Sequence, residues 1–143
     1  MRRQLSLTVC LLLVAAGAAF AGVATAGAST NATPVAKASI KIVSGTMYKP
    51  TAEFCFKPAL KSIAPGTKVT WVNKTLTVHT VTRCSATPCG GVSGGTGKDT
   101  GFGSPGTIAS NGKYSFVFNG AGTYTYYCAI HGYALMHGTI TVT

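Results

Sequence analysis

Acidic side chains are almost absent from this sequence, and their shortage narrows the chemistry that the chain can perform. Its 143 residues include twelve Lys and Arg but only two acids, Glu53 and Asp99, and the formal net charge is +10. Glycosidases that work through paired carboxylates, and oxygen cages for Mg²⁺ or Ca²⁺, both need clustered acidic side chains. Two isolated acids cannot supply either kind of site.

Histidine is also scarce, since the chain has three and no two of them are spaced as His-x-His. Catalytic sites that hold several metal ions need more imidazoles than this, so no catalytic residues are expected. A glycine-rich stretch at 95–98 superficially resembles a phosphate-binding loop, but Val92 stands where that motif needs glycine. The basic residues are scattered rather than clustered with aromatic ones, so nucleic-acid binding is not expected.

The N-terminus predicts an export signal over residues 1–26. Arg2 and Arg3 give it a positive start, residues 11–16 are apolar, and small-residue cleavage patterns occur at 19–21 and 24–26. A retained N-terminal anchor is the alternative, because the apolar character continues towards residue 26. Residues 27–37 read as a small polar linker. We therefore expect a periplasmic, cell-surface or extracellular protein.

Export bears on the cysteines, because disulfides persist in oxidising compartments. Cys10 falls within the predicted signal, which leaves Cys55, Cys84, Cys89 and Cys128. We predict a Cys84–Cys89 disulfide with Cys55 outside any bridge. A bridge from Cys55 to either loop cysteine remains the alternative, because spacing does not fix connectivity.

Residues 38–143 are rich in short strand-like segments and contain no convincing amphipathic helix. Alternating apolar and polar residues predict strands at 40–42, 54–56, 69–73, 78–82, 114–118, 123–127 and 139–142. The glycine-rich segment 89–106 is predicted to be one long surface loop. Seven or eight short strands separated by turns indicate an all-β fold, a two-sheet sandwich of Greek-key type.

Three kinds of metal ligand lie in one short loop near the C-terminus. Cys128, His131 and Met136 follow the spacing Cys-x2-His-x4-Met, and His79 lies upstream on a predicted strand. A thiolate and two imidazoles in a trigonal plane, with a thioether at long axial distance, form the donor set of a mononuclear copper electron-transfer site. Taken one at a time, Cys128 could be half of a disulfide, His79 a core histidine and Met136 a packing residue. Only the copper site accounts for all four.

His137 adjoins Met136 but is not counted among the ligands. Strand alternation predicts that its side chain points away from the metal, towards solvent or a partner. The alternation around Cys55 likewise places that thiol on the face opposite Phe54 and Phe56.

With these residues the chain resembles the small blue copper proteins of the plastocyanin/pseudoazurin type, in the cupredoxin superfamily. Similar segments are 56–58, 64–73, 78–81, 115–118 and 122–128. The resemblance covers residues 38–143 and implies a cupredoxin domain that binds one copper ion through His79, Cys128, His131 and Met136. Thr80 departs from the family, since many relatives have Asn there, but a hydroxyl can still link the two ligand segments by a hydrogen bond.

The resemblance implies an exported type 1 copper protein that carries one electron by cycling Cu(II)/Cu(I), and not an enzyme. A copper-binding or delivery protein without an electron-carrier role is the alternative. We expect a monomer, a transient redox partner such as an acidic cytochrome or oxidase, and no small-molecule substrate. The excess of lysine also predicts association with an anionic membrane surface.

Overall fold

Eight β-strands and no helix make up the described part of the chain, which in the computed structural model comprises residues 34–45, 53–85, 89 and 91–143. The predicted export signal and most of the predicted linker lie outside these residues. Across the described ranges, no helix is long and apolar enough to cross a membrane. The strands are β1 (Lys37–Ser44), β2 (Phe54–Lys57), β3 (Leu60–Ile63), β4 (Thr67–Asn73), β5 (Thr82–Arg83), β6 (Lys113–Phe118), β7 (Gly122–Tyr127) and β8 (His137–Val142).

The strands form two four-stranded sheets, in the orders β2-β1-β4-β6 and β3-β8-β7-β5. Both sheets are mixed, because β1 pairs with β4 and β3 pairs with β8 in parallel, while the other pairs are antiparallel. The two sheets make a cupredoxin-type β-sandwich, so the predicted fold class is confirmed.

Alternating burial along β4 explains why its residues form a strand that faces the core. Val69, Trp71 and Asn73 are fully buried, while the residues between them face outwards and are at least partly exposed. The Trp71 ring lies 5.4–6.3 Å, between centroids, from four other aromatic rings. Burying each such side chain contributes about 1.5–3 kcal/mol, so this aromatic cluster anchors the sandwich.

Two strand predictions differ from the structure. The predicted strand at 78–82 reduces to β5 and an isolated bridge between His79 and Ile108, because a side-chain hydrogen-bonded turn follows Asn73. The sequence did not predict β3, because the residues of this segment do not alternate cleanly between apolar and polar. In the structure its first residue, Leu60, is 72% exposed. Its parallel pairing with β8 depends on a partner that is remote in the sequence.

The glycine-rich segment was predicted to be a surface loop, and this was only partly right. Its described residues, 89 and 91–106, form no strand, but Phe102 is 5% exposed and belongs to the core. A Cβ atom at Gly97 would overlap the ring of Tyr124, so the loop backbone lies directly on β7. The Arg83 guanidinium also donates hydrogen bonds to the backbone oxygens of Gly97 and Asp99, at 2.7 and 2.6 Å. Glycine here allows close packing rather than freedom of movement.

Candidate metal centre

His79, Cys128 and His131 meet at one end of the sandwich. Their ligand atoms all lie within 4.8 Å of one another. The Cys128 Sγ is 3.8 Å from His79 Nδ1 and 3.3 Å from His131 Nδ1. The structure therefore brings together three of the four residues that the sequence predicted as ligands, although His79 and Cys128 are 49 positions apart in the chain.

The C-terminal loop between β7 and β8 holds Cys128, His131 and Met136 in a compact turn. Gly132 N donates to Cys128 O at 2.9 Å, Met136 N donates to Gly132 O at 3.1 Å, and Cys128 N donates to Met136 O at 3.0 Å. Gly132 has a φ of 79°, in the left-handed region that glycine adopts without strain. The turn thus brings the start and the end of the loop together.

Met136 and His137 have opposite environments although they are neighbours. Met136 is 1% exposed and lies in the same core cluster as Cys128. His137 is half-buried, and its ring stacks on Tyr133 with centroids 4.4 Å apart. His137 Nδ1 lies 2.8 Å from Tyr133 O, and this histidine is not part of the metal-ligand cluster. The prediction that it points away from the ligands is confirmed.

His79 is fully buried and its orientation is fixed by a chain of polar groups. Its Nε2 lies 2.8 Å from Thr75 Oγ1, and that hydroxyl is 2.8 Å from Asn73 Oδ1. Because the hydroxyl hydrogen is directed to an oxygen acceptor, the geometry favours donation from His79 Nε2–H to Thr75 Oγ1. The Nδ1 lone pair is then left to face Cys128, as a metal ligand requires.

Asn73 makes the hydrogen bonds that hold this arrangement together. Its Nδ2 donates to Thr77 O at 2.7 Å and to Ile108 O at 2.9 Å, while its Oδ1 accepts from Thr75 N at 2.9 Å. Sequence reasoning missed the contribution of Asn73 and Thr75 to the site. The available signal was the pattern Asn-x-Thr at a strand end, which is typical of a side-chain-stabilised turn.

Burial keeps His79 neutral at ordinary pH. Desolvation, with a smaller repulsion from His131, lowers the pKa of His79 from 6.5 to about 4. A neutral imidazole retains the lone pair that a metal ion needs, so no proton has to be displaced from this ligand at pH 7.

Thr80 links the two ligand segments in the way that its hydroxyl suggested. Ala129 N donates to Thr80 Oγ1 at 2.7 Å, and Thr80 N donates to Cys128 Sγ at 3.4 Å. The first contact ties the loop after β7 to the segment of His79. The second directs a backbone N–H at the sulfur, which helps to fix the position of Cys128 beside the His79 segment.

The outward side of the centre is a shallow cavity of about 310 Å³ lined by Glu53, Phe54, His131 and Leu135. The Phe54 ring lies 4.8 Å, between centroids, from the rings of both His79 and His131. Phe54 therefore covers both imidazoles, while half-buried His131 borders the cavity. No local pattern indicated that Glu53 or Phe54 would lie at this site.

The remaining cysteines follow the predicted pairing. Cys84 and Cys89 form a disulfide, whereas Cys55 and Cys128 do not take part in one. Cys55 pairs in register with Val43, while buried Phe56 pairs with Ile42, so the thiol lies on the opposite face of β2 from Phe56. The disulfide packs with Tyr127 and with Tyr133 of the ligand loop.

The donor set fits a copper ion. Metal–nitrogen and metal–sulfur bonds of about 2.0–2.3 Å in a trigonal plane place the donor atoms about 3.5–3.8 Å apart. The two distances from the sulfur, 3.3 and 3.8 Å, lie close to that range, and all the donor atoms lie within 4.8 Å of one another. A soft thiolate together with two imidazoles suits both Cu(I) and Cu(II), and oxygen ligands for a harder cation are missing from the cluster.

Comparison with known proteins agrees with this geometry. The model of the copper binding proteins, plastocyanin/azurin family, matches residues 43–143. A purple cupredoxin from Nitrosopumilus maritimus is 27% identical, with a TM-score of 0.53, over 74% of this chain and 99% of that chain. Among curated proteins, no sequence matches this chain.

Two further structures share the fold at lower identity. A reduced amicyanin mutant is 21% identical, with a TM-score of 0.50, over 73% of this chain and 80% of its own. A copper-containing nitrite reductase from Thermus scotoductus is 22% identical, with a TM-score of 0.53, over 75% of this chain but only 22% of its own. The site and fold define a small blue copper cupredoxin with one type 1 copper site. The chain belongs to the plastocyanin/azurin family of copper binding proteins.

Proposed function

We propose that this chain is an electron carrier and that His79, Cys128, His131 and Met136 would hold its copper ion. The observation that carries the proposal is the convergence of two imidazole nitrogens and one cysteine sulfur within 4.8 Å. Met136 is assigned as the fourth residue that would hold copper because it is buried in the same cluster as Cys128 and is joined to it by a backbone hydrogen bond.

The chain's own residues would hold the ligands in a nearly fixed arrangement. Copper, when bound, supplies a one-electron couple between Cu(II) and Cu(I). Thr75 orients His79, and Thr80 joins the two ligand segments and donates its N–H to the cysteine sulfur. Both His79 and Cys128 are fully buried, so water is kept from them. Such constraints limit how far the ligands move when charge changes, which favours fast electron exchange.

The exposed side of the centre supports an electron pathway through His131. Its imidazole is half-buried beside the cavity, and the neighbouring loop residues Ile130 and Leu135 are 49% and 47% exposed. Apolar side chains around an exposed ligand edge suit a transient redox partner, because small apolar contacts form and separate quickly. The partner would approach within reach of the imidazole without entering the core.

A carrier outside the cytoplasm is the best supported role. The Cys84–Cys89 disulfide fits an oxidising compartment, in agreement with the export signal proposed from residues 1–26. No cluster of three or more His, Cys or acidic residues other than the one described occurs within the part of the chain that the structure covers. We therefore propose electron transfer to another protein rather than catalysis on a small molecule.

The visible spectrum of the copper-loaded protein tests this proposal. We expect an intense thiolate-to-Cu(II) charge-transfer band that disappears on reduction and is absent from Cys128→Ala. Cys55→Ala is the matched control, because this second reduced cysteine is also buried but lies outside the ligand cluster. It should keep the band. A wild-type protein that binds Cu(II) and stays colourless would contradict the ligand assignment.

Voltammetry then separates a carrier from a copper-delivery protein. A carrier should give a reversible wave through repeated cycles and retain its copper in the presence of a moderate chelator. Intense colour combined with loss of copper in each reduced half-cycle would support delivery instead.

A further inference from the structure

The outward face of the sheet β2-β1-β4-β6 carries two rows of residues that include lysines, separated by a row of hydroxyl groups. The pairing register places residues on neighbouring strands side by side and on the same face. Read across the sheet, the rows are Lys37, Lys68 and Val117; then Ser39, Thr70 and Ser115; then Lys57, Lys41, Val72 and Lys113. We call these ten residues the lysine face.

The four strands that carry the lysine face contain no Asp or Glu. The Asp99 carboxylate is occupied elsewhere, since it accepts hydrogen bonds from Asn119 N, Gly120 N and Tyr124 OH. Glu53 lines the cavity beside His131. All five lysines of the face are exposed.

The arrangement works against the stability of the isolated protein. Lys37 lies directly beside Lys68 on the parallel pair of β1 and β4. Like charges on directly opposed residues of a sheet destabilise the pairing. An anionic surface placed against these rows would remove that repulsion, so binding would be favoured by the same charges that disfavour the free state.

The lysine face has the composition of a surface that meets lipid headgroups rather than protein. Protein interfaces are enriched in Tyr, Trp, Met and Arg and depleted of Lys and Ser. The lysine face has only Lys, Ser, Thr and Val, and therefore offers no aromatic anchor for a protein pocket. Its lysine rows are about 13 Å apart along β1, from the rise of a strand, so the charges spread over a plane.

A shallow depression on this face could receive a headgroup. It has a volume of about 470 Å³ and is lined by Ser39, Lys41, Val43, Lys57 and Pro58. Ammonium and hydroxyl donors together suit the oxygens of a phosphate group. The depression is separate from the cavity beside His131, since the two share no lining residue.

We propose that the lysine face binds the surface of a bilayer that is rich in anionic lipids. The metal ligands follow β4 and β7 and precede β8, so they lie at the strand ends rather than on this face. A protein bound through its lysine face would therefore keep the edge of His131 open to a redox partner that moves along the same surface. This proposal extends the proposed function by placing the carrier at a membrane surface. Vesicle binding is measured on the metal-free protein, so its result does not depend on whether the chain transfers electrons.

Vesicle co-sedimentation of metal-free protein beginning at residue 27 tests the inference without the apolar N-terminal segment. Both sheets and their core lie within the compact unit Thr33–Thr143, so this form keeps the sandwich whole. We expect binding to phosphatidylcholine vesicles that contain phosphatidylglycerol, and none to phosphatidylcholine alone. Raising the salt to about 0.5 M should release the protein, because screening shortens the reach of each charge.

Two double variants with the same change in charge locate the binding surface. Lys41→Gln/Lys68→Gln should weaken binding to anionic vesicles by about tenfold or more, since each lysine near an anionic surface contributes severalfold. The control, Lys61→Gln/Lys98→Gln, changes lysines on β3 and in the glycine-rich loop, and should weaken binding by less than about threefold. Thermal unfolding of both variants verifies that they fold.

Several outcomes would overturn the inference. Equal losses of vesicle binding in the two double variants would mean that the net charge of the protein alone attracts it to the membrane. Binding to phosphatidylcholine alone would point to an apolar contact. Binding to soluble polyglutamate with no binding to anionic vesicles would assign the lysine face to an acidic polypeptide instead of a membrane.

Discussion

The two imidazoles of the metal centre lie in very different surroundings. On the inner side, His79 is fully buried and bonded through Thr75 to Asn73. On the outer side, His131 is half-buried and borders an open cavity with Glu53 and Leu135. Two chemically identical ligands are therefore held in two ways, one by a polar network in the core and one by a short surface loop.

This difference separates two requirements of an electron carrier. The inner side fixes ligand orientation, because its hydrogen bonds form where water cannot compete for them. The outer side provides access, because an exposed imidazole edge shortens the distance to a partner. Changes on the inner side should thus affect stability and copper affinity, whereas changes on the outer side should affect only the rate of electron exchange.

The largest expected effect is that of Asn73→Ala. The variant removes the side-chain hydrogen bonds to Thr77 O, Ile108 O and Thr75, and it leaves the buried Thr75 N without an acceptor. We expect the free energy of unfolding of the metal-free protein to fall by about 3 kcal/mol in urea titrations, since each unsatisfied buried group costs about 1–3 kcal/mol. Glu53→Ala, on the outer side, should cost less than about 0.5 kcal/mol. If the free energy of unfolding fell by a similar amount in both variants, the inner and outer sides of the centre would not differ in their contribution to stability.

A smaller effect is expected when only the second link of the network is removed. Thr75→Val keeps the shape of the side chain but leaves His79 Nε2 without a hydrogen-bond partner. Copper affinity, measured by competition with a chelator, should fall by about 10–100-fold because the imidazole is no longer held in place. The matched control is Thr77→Val, on an exposed neighbour, which should retain the wild-type affinity. Equal affinities for both variants would show that the network does not orient the ligand.

The smallest expected effect concerns the charge at the mouth of the cavity. Glu53→Gln removes the one carboxylate beside His131. In stopped-flow measurements at low salt, oxidation by an anionic iron complex should become faster by about threefold, and oxidation by a cationic cobalt complex slower by a similar factor. High salt should abolish both changes. A change in copper affinity would instead indicate that Glu53 helps to hold the metal ligands in position.

Much of the fold was predictable from local pattern. The alternation in segments such as 69–73 and 114–118 became β4 and β6, because strands with one buried face have a period of two residues. The errors lie where tertiary contacts override that pattern. β3 exists through its pairing with β8, and the polar turn after Asn73 shortens the strand that the residues around His79 predicted.

The site was predictable in its ligands but not in their support. Cys128, His131 and Met136 are close in sequence and chemically distinctive, and His79 was the one suitable upstream histidine. Asn73, Thr75 and Phe54 are common residue types whose contribution depends on their neighbours in space. Nothing in their local sequence indicates that Phe54 lies 4.8 Å from both imidazoles.

The amino-acid sequence by itself determined the class of fold and the donor chemistry, because both follow from side-chain types and short spacings. Tertiary structure alone decided which histidine is enclosed and which is accessible, and which lysines share one face of a sheet. Those outcomes depend on strand register and on contacts between segments that are far apart in the chain. Such contacts are set by the packing of the whole core, in which each strand's position is fixed by partners that no local pattern specifies.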